Sequence, residues 1–275
     1  MSDLPTGWEW TTLGEIAEVR LGRQRSPKNH NGSQMRPYLR AANVGWDGLK
    51  LDDVKEMNFT DDEAETYQLR SGDIVLSEAS GSASEVGKPA MWNGEIDGCC
   101  FQNTLIRVRP SKEVDPRFLL LFLKGEALRG AFVEHSRGVG IHHLGAARLT
   151  EWHTPLPSLA EQRRIVASLE GYLSRVDAGI GILRKIGNLS GAEGRAEQLR
   201  RSLLRESFAG RLVEQDPTDE PASLLLERIR AERESASKVK RARKSRAKAA
   251  VPARESKTDR SLPEPNKQDA LDLGL

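Results

Sequence analysis

The rhythm of apolar positions changes once along the chain, near residue 157. Before that point apolar residues come in short bursts. Trp8-Glu-Trp-Thr-Thr-Leu-Gly-Glu-Ile-Ala-Glu-Val-Arg-Leu-Gly22 carries an apolar pattern closed by a glycine, and a polar loop follows from Arg23 to Pro37. Residues 38–44 read as a strand ended by Gly45 and Asp47-Gly48, and Leu69-Arg-Ser-Gly-Asp-Ile-Val-Leu-Ser77 as a turn feeding a buried strand. Cys99 to Arg109 alternates as one further strand, stopped at Pro110. Asp115 before Pro116 is a helix-start signature, an N-cap followed by proline at the first position. The dense run Phe118-Leu-Leu-Leu-Phe-Leu123 then requires burial against a sheet. Short strands with a buried helix predict an α+β chain whose residues 1–157 form a mixed α/β domain.

Beyond it the pattern becomes helical. Pro155 and Pro157 flank Leu156 and favour a stiff, extended connector. Ser158 can cap a helix, with Glu161 three residues on completing a capping box. Apolar residues then recur three or four apart at Ile165, Leu169, Tyr172, Val176, Ile180, Leu183 and Ile186, a stripe that asks for a partner helix. Gly179, Gly181, Gly187, Gly191 and Gly194 each cost about 0.5–1 kcal/mol relative to Ala in a helix interior. The extended helical (coiled-coil) arm over 158–213 is therefore expected to break near 187–194, with a second stop at Gly210. Residues 214–234 hold a short amphipathic helix, and 235–275 read as a disordered basic tail.

Composition narrows the possibilities. Hydrophobic residues are 37% and charged residues 30% of the 275, polar enough to imply that part of the chain stays outside any core. A net charge of +2 argues against coating DNA by bulk charge, but phosphate contacts depend on local basic surface. Such a run exists at Lys238, Lys240, Arg241, Arg243, Lys244, Arg246 and Lys248, with no acid among them. Cys99 and Cys100 are adjacent, which suits neither a disulfide nor a four-ligand zinc site, and they read as small buried residues. No apolar run approaches the ~20 residues of a membrane span and no signal-peptide pattern opens the chain, so the expected location is cytoplasmic.

Tests for chemistry come back empty. The loop Gly81-Ser-Ala-Ser-Glu-Val-Gly-Lys88 places five residues between its glycines and Pro89 after its lysine, so the phosphate-loop spacing and the magnesium-binding hydroxyl are both missing. His135, His142 and His143 have only Glu134 nearby, a poor metal set. No nucleophile elbow, nuclease acid spacing or methyltransferase motif is present, and the chain is expected to be non-catalytic, with no metal site. What remains suits contact with nucleic acid: Arg23, Arg25, Lys28 and Asn29 in one loop; Arg40 and Asn43 at a strand end; Ser80, Ser82 and Lys88 in a second loop; Arg137, His142 and His143 in a third. Arg and Asn make the bidentate contacts that read guanine and adenine, and small residues let main-chain N–H groups approach phosphates. The other reading of each residue is an ordinary solvated loop position.

The order of features resembles the specificity (S) subunits of type I restriction–modification systems over about residues 4–233. The resemblance is carried by Leu4-Pro-Thr-Gly-Trp8 with Leu13-Gly14, by residues 38–43 and 69–75, and by the strand ending at Arg109-Pro110. Its most specific piece is Pro155-Leu-Pro-Ser-Leu-Ala-Glu-Gln-Arg-Arg-Ile-Val166; residues 203–213 and 220–229 continue it. It implies a target-recognition domain on a helical region that binds double-stranded DNA as part of a restriction system. Modification (methyltransferase) subunits and a restriction subunit would be partners, and S-adenosylmethionine, ATP and magnesium would belong to them, leaving no cofactor here. Members of full length hold two such units and read a bipartite site. One unit on one arm implies self-association of two half-subunits into a homodimer, with a non-reading structural adaptor or a silent recombination cassette as alternatives.

Overall fold

A computed structural model of the chain describes residues 4–80, 82–133, 142–187 and 190–249, with side chains through 238. The chain to Glu232 forms one compact unit and the residues from Arg233 a second. The first opens with β1 (Glu9–Thr12), a single helical turn α1 (Leu13–Ile16) and β2 (Ala17–Leu21). Next come β3 (Met35–Leu39), β4 (Val44–Gly45), β5 (Gly48–Leu49), β6 (Lys55–Asn58) and α2 (Asp61–Tyr67). Five strands follow: β7 (Asp73–Ser77), β8 (Ala79–Ser80), β9 (Pro89–Trp92), β10 (Cys100–Phe101) and β11 (Leu105–Pro110). Then come α3 (Pro116–Leu128), β12 (His142–His143), α4 (Ala146–Thr150) and β13 (His153–Leu156), and three helices, α5 (Leu159–Lys185), α6 (Ala192–Phe208) and α7 (Ala222–Ala249).

The central sheet, in the order β2-β11-β7-β9, is antiparallel throughout and is buried on both faces. Successive side chains on a strand point to opposite faces, and β7 divides its residues accordingly. Ile74 and Leu76 join Ile106, Val108, Leu119, Phe122 and Leu123 in one core, while Val75 joins Leu39, Trp92, Phe101 and Leu105 in another. Asp73 closes the strand's start with two 2.7 Å bonds from Arg109. Arg107 is buried beneath the second core. Its guanidinium donates to Glu18 at 2.9 Å and to the Thr66 carbonyl at 3.1 Å, and burial pulls its pKa down to about 10. Asp115 caps α3 by accepting from the N–H groups of Arg117 and Phe118, as the Asp-Pro pair predicts.

Two sequence expectations give way here. Cys99–Arg109 is not one strand but two, β10 and β11, in different sheets, separated by the turn Gln102–Thr104. Residues 40–43 leave the strand for a turn of 3-10 helix, because the Asn43 side chain accepts from the Arg40 N–H and donates to the Lys50 and Asp53 carbonyls.

The connector is stitched to both ends of the domain. β13 pairs antiparallel with β1, opposing Pro155 to Trp10 and Leu156 to Glu9. Ser158 caps α5 by accepting from the Glu161 N–H at 3.0 Å. The reciprocal half of the expected capping box is absent, because the Glu161 carboxylate is engaged elsewhere. It accepts from the Trp8 indole at 3.0 Å and from the Gln215 amide at 2.6 Å, and is only 3% exposed. Gln162, fully buried, donates to the Pro157 carbonyl and accepts from the Asp115 N–H. Arg164 and Ser158 both reach Asp219.

α5 and α6 run antiparallel, as the Asp177–Arg200 and Arg184–Glu193 pairs require. Gly187 and Gly191, with φ of 72° and 66°, make the reversal in a backbone region that other residues adopt at a cost. The expected stripe is divided. Ile165 and Leu169 are fully buried with Trp8, Phe118, Leu121 and Leu204, so they seat the hairpin on its own domain and are not available to a partner chain. Val176, Ile180 and Leu183 are half-buried, while Tyr172 and Ile186 are exposed. Phe208 adds edge contacts to Phe118 and Phe122, both at 5.3 Å. The last helix also departs from expectation. Leu225, Leu226 and Ile229 join the main core, and the helix continues to Ala249 rather than ending near 234. Its Ala, Arg, Lys and Glu content explains this, since these are strong helix formers and the first proline comes at 252.

Two outcomes test the connector. Trp8→Phe keeps an aromatic side chain but removes the indole N–H from a buried carboxylate and leaves a smaller ring, and should cost about 1–3 kcal/mol or more in urea unfolding. Burial raises the Glu161 pKa. A carboxyl whose folded pKa lies above its unfolded value contributes stability below the unfolded pKa and loses it as pH rises through the folded one. Stability of the native chain relative to Glu161→Gln should therefore fall as pH rises above the ordinary carboxylate range, and a difference that stays constant as pH rises would contradict the assignment.

Candidate nucleic-acid interface

The turn Gln102–Thr104, which splits the expected strand, is where the polar loops meet. The Arg23 N–H donates to the Phe101 carbonyl at 3.1 Å and the Asn103 N–H to the Arg23 carbonyl at 3.0 Å. The Thr104 hydroxyl accepts from the Ala41 N–H, and its carbonyl from the Glu78 N–H. The Glu78 carbonyl in turn accepts from the Leu144 N–H at 2.8 Å. Loops 23–34 and 78–84 are thus tied to one turn by main-chain bonds and loop 40–43 by the Thr104 hydroxyl, while loop 142–145 joins them through Glu78. β8 and β12 make the last link as a two-residue ladder, with Ser80 opposite His142 and Ala79 opposite His143.

Side chains on this frame fall into two groups. Arg25, Lys28, Ser82 and His143 are exposed, and Asn29, Arg40, Ser80 and His142 half-exposed. Arg25 donates to His30 at 3.2 Å, Ser82 and Ser84 share a 2.9 Å bond, and the His143 ring lies 3.2 Å from Glu78. Arg40 pairs with Asp53, which Lys55 and then Arg40 hold below the usual carboxylate range. The second group corrects the sequence inventory. Arg23 is committed to Glu63, to the Asn58 carbonyl at 2.6 Å and to the Phe59 ring. Asn43 is 2% exposed with its amide fully used. Lys88, 8% exposed, is neutralised by Glu85, which also accepts from the Trp46 indole. These three build the frame and present no free group to a ligand. Arg137 lies outside the described residues.

Sequence reading missed Gln102, Asn103, Thr104 and Glu78. The only available signal was the polar triplet inside an otherwise apolar run. A separate cleft of about 640 Å³ opens between α3 and the α5–α6 hairpin, lined by Trp46, Lys124, Leu128, Leu173 and Leu204. Among the described residues no group of three or more His, Cys, Asp or Glu could hold a metal ion, and no helix is long and apolar enough to cross a membrane.

Residues 5–187 match the family model of the type I restriction modification DNA specificity domain. The chain belongs to this family. The matched span runs from the strand β1 through the connector to the end of α5, so frame, loops and first arm helix fall inside it. The EcoKI specificity subunit of Escherichia coli (strain K12) is 25% identical over 239 residues, covering 83% of this chain and 50% of that protein. The StySPI specificity subunit of Salmonella potsdam is 26% identical over 215 residues, covering 76% and 44%. The chain spans about half the length of the curated relatives it matches. Among solved structures, the HsdS subunit from Thermoanaerobacter tengcongensis is 24% identical with a TM-score of 0.48, over 77% of this chain and 47% of that one.

Gly22 is the close approach on which the frame rests. A Cβ there would run into the Gln102 carbonyl oxygen, a backbone atom that cannot swing away. Gly22→Ala should destabilise by about 1–3 kcal/mol in urea unfolding. It should also speed amide hydrogen exchange at Asn103 and Arg23, and unchanged protection there would contradict the role of the turn.

Proposed function

We propose that the chain reads DNA sequence through the loops gathered on the Gln102–Thr104 turn and performs no chemistry itself. The observation that carries this reading is the convergence. Four loops rich in Arg, Lys, Asn, Ser and His are held together by main-chain bonds and by the Thr104 hydroxyl, so their exposed and half-exposed side chains stand on a shared frame. Rigid donors and acceptors suit base edges, and exposed Lys and Arg suit phosphates. The readers are Arg25, Lys28, Asn29, Arg40, Ser80, Ser82, His142 and His143. Membership in the specificity family supports a place in a type I complex, where this chain directs modification and restriction subunits to a bipartite site. S-adenosylmethionine, ATP and magnesium would act on those subunits.

The functional unit is proposed to be a homodimer of half-subunits. Support comes from Tyr172, Ile182, Ile186 and Leu199 on the hairpin, large apolar side chains 43–67% exposed in the single chain. A two-fold pair would read a split, palindromic site.

Arg25→Ala should relax base preference at one position, at ~1–3 kcal/mol of discrimination for a lost bidentate contact, and His142→Ala, made separately, should relax it at another through loss of a single hydrogen bond. Long-read methylation sequencing of cells that co-express the chain with a modification subunit reads this directly. Methylation without any recurrent motif would sink the reading proposal. Sedimentation of Ile182→Glu with Ile186→Glu as a monomer, against a native dimer, checks the pairing.

A further inference from the structure

The reading loops and the hairpin leave one charged element without a role. From Arg233 to Ala249 the chain stays helical, and this stretch holds eight basic residues and one acid. No acid occurs between Glu234 and Glu255. Val239 is the only residue in the stretch larger than alanine that is apolar, so no stripe exists for a coiled coil or for packing on a protein core. Residues 231–238 are all exposed, and the single acid, Glu234, is paired with Lys238 at 2.7 Å.

Lys240, Lys244 and Lys248 recur every four residues, and Lys240–Arg243, Arg241–Lys244 and Arg243–Arg246 are three apart. Like charges at these spacings repel along a helix. Alanine and arginine propensity supports the helix in spite of that repulsion, and a polyanion would remove it. The stretch is about 25 Å long at 1.5 Å per residue. Duplex DNA carries roughly one charge per 1.7 Å of axis, so a segment of that length presents on the order of fifteen phosphate charges.

We propose that the helix over residues 233–249 binds the phosphate backbone of duplex DNA without regard to sequence. It adds a salt-sensitive contact to the base-reading loops. The proposal rests on the DNA-reading function for its ligand but concerns different residues and a different observable. Base-reading side chains set which sequence is preferred, whereas phosphate contacts raise affinity for every sequence and steepen its salt dependence.

The test uses the full chain and fluorescent duplexes, one carrying the motif selected from a random pool and one scrambled. Lys240→Gln, Arg241→Gln, Lys244→Gln and Lys248→Gln are combined in one variant, and Lys240→Arg, Lys244→Arg and Lys248→Arg in a second that keeps the charge. The Gln variant should bind both duplexes about tenfold or more weakly at low salt, with a log K against log salt slope shallower by about one per lost phosphate contact. The ratio between the two duplexes should not change, and the Arg variant should behave as native. Equal affinity and slope in native and Gln variants, with sequence preference intact, would overturn the helix proposal alone. A native chain with no preferred duplex, whose Gln variant still loses affinity for both, would overturn the reading function and leave the helix contact standing.

Discussion

A buried carboxylate holds the two halves of this molecule in register. Glu161 lies in the first turn of the arm helix and is removed from water. Burying a charged or polar group without partners is costly, so its position is tolerated only while Trp8 and Gln215 both donate to it. One donor comes from the start of the chain and the other from the segment after the hairpin. The satisfied network therefore exists only when the N-terminal segment, the helix start and the returning segment are assembled together. Gln162 repeats the device next door, joining the Pro157 carbonyl to the helix-capping Asp115. Apolar packing of Ile165, Leu169 and Phe208 supplies the adhesion, and the polar network supplies the register.

This explains which parts of the connector were readable from residues alone. The prolines and the Ser158 cap act locally, so their roles follow from φ restriction and hydrogen-bond geometry without a fold. Glu161 had a local reading as well, the reciprocal partner of the cap, and that reading lost to a tertiary one. Near the helix start a carboxylate can accept from its own N-cap or from a distant donor. A buried indole N–H has no alternative acceptor, so its claim is the stronger. The division of the apolar stripe has the same origin: Ile165 and Leu169 obey helical spacing, but whether a stripe faces its own domain or a second chain is set by what packs there first.

The recognition frame was legible in content and not in arrangement. Residue types pointed to Arg25, Asn29, Ser80 and His142, yet nothing in their spacing brings 23, 41, 78 and 144 to one turn. That turn was hidden because the apolar runs on either side of Gln102-Asn103-Thr104 read together as one strand from Cys99 to Arg109, and strand patterning does not show where the chain changes sheet. Arg23, Asn43 and Lys88 illustrate the converse. They have the residue types of DNA readers, but each sits beside an acid, a carbonyl or a turn that needs its donors more. A loop can aim side chains only if other polar groups hold its backbone, and sequence does not label which of the two tasks a given Arg or Asn performs.

That division of labour bears on how such a surface can change its exposed groups while keeping its fold. The frame bonds run through main-chain atoms of residues 23, 41, 78, 101–105 and 144, which are insensitive to side-chain identity apart from the Thr104 hydroxyl and the tight approach at Gly22. Side chains at 25, 28, 82 and 143 project from this frame, whereas the Ser80 hydroxyl also accepts from the Ser82 N–H. Substitution at positions 25, 28, 82 and 143 alters the donors and acceptors offered while removing little buried area, so its cost to stability should stay near that of ordinary surface changes, within about 0.5 kcal/mol. Substitution at 22, 43 or 104 reaches the frame itself and moves several loops at once. Separating the groups that hold from the groups that face outward lets one scaffold carry different surfaces.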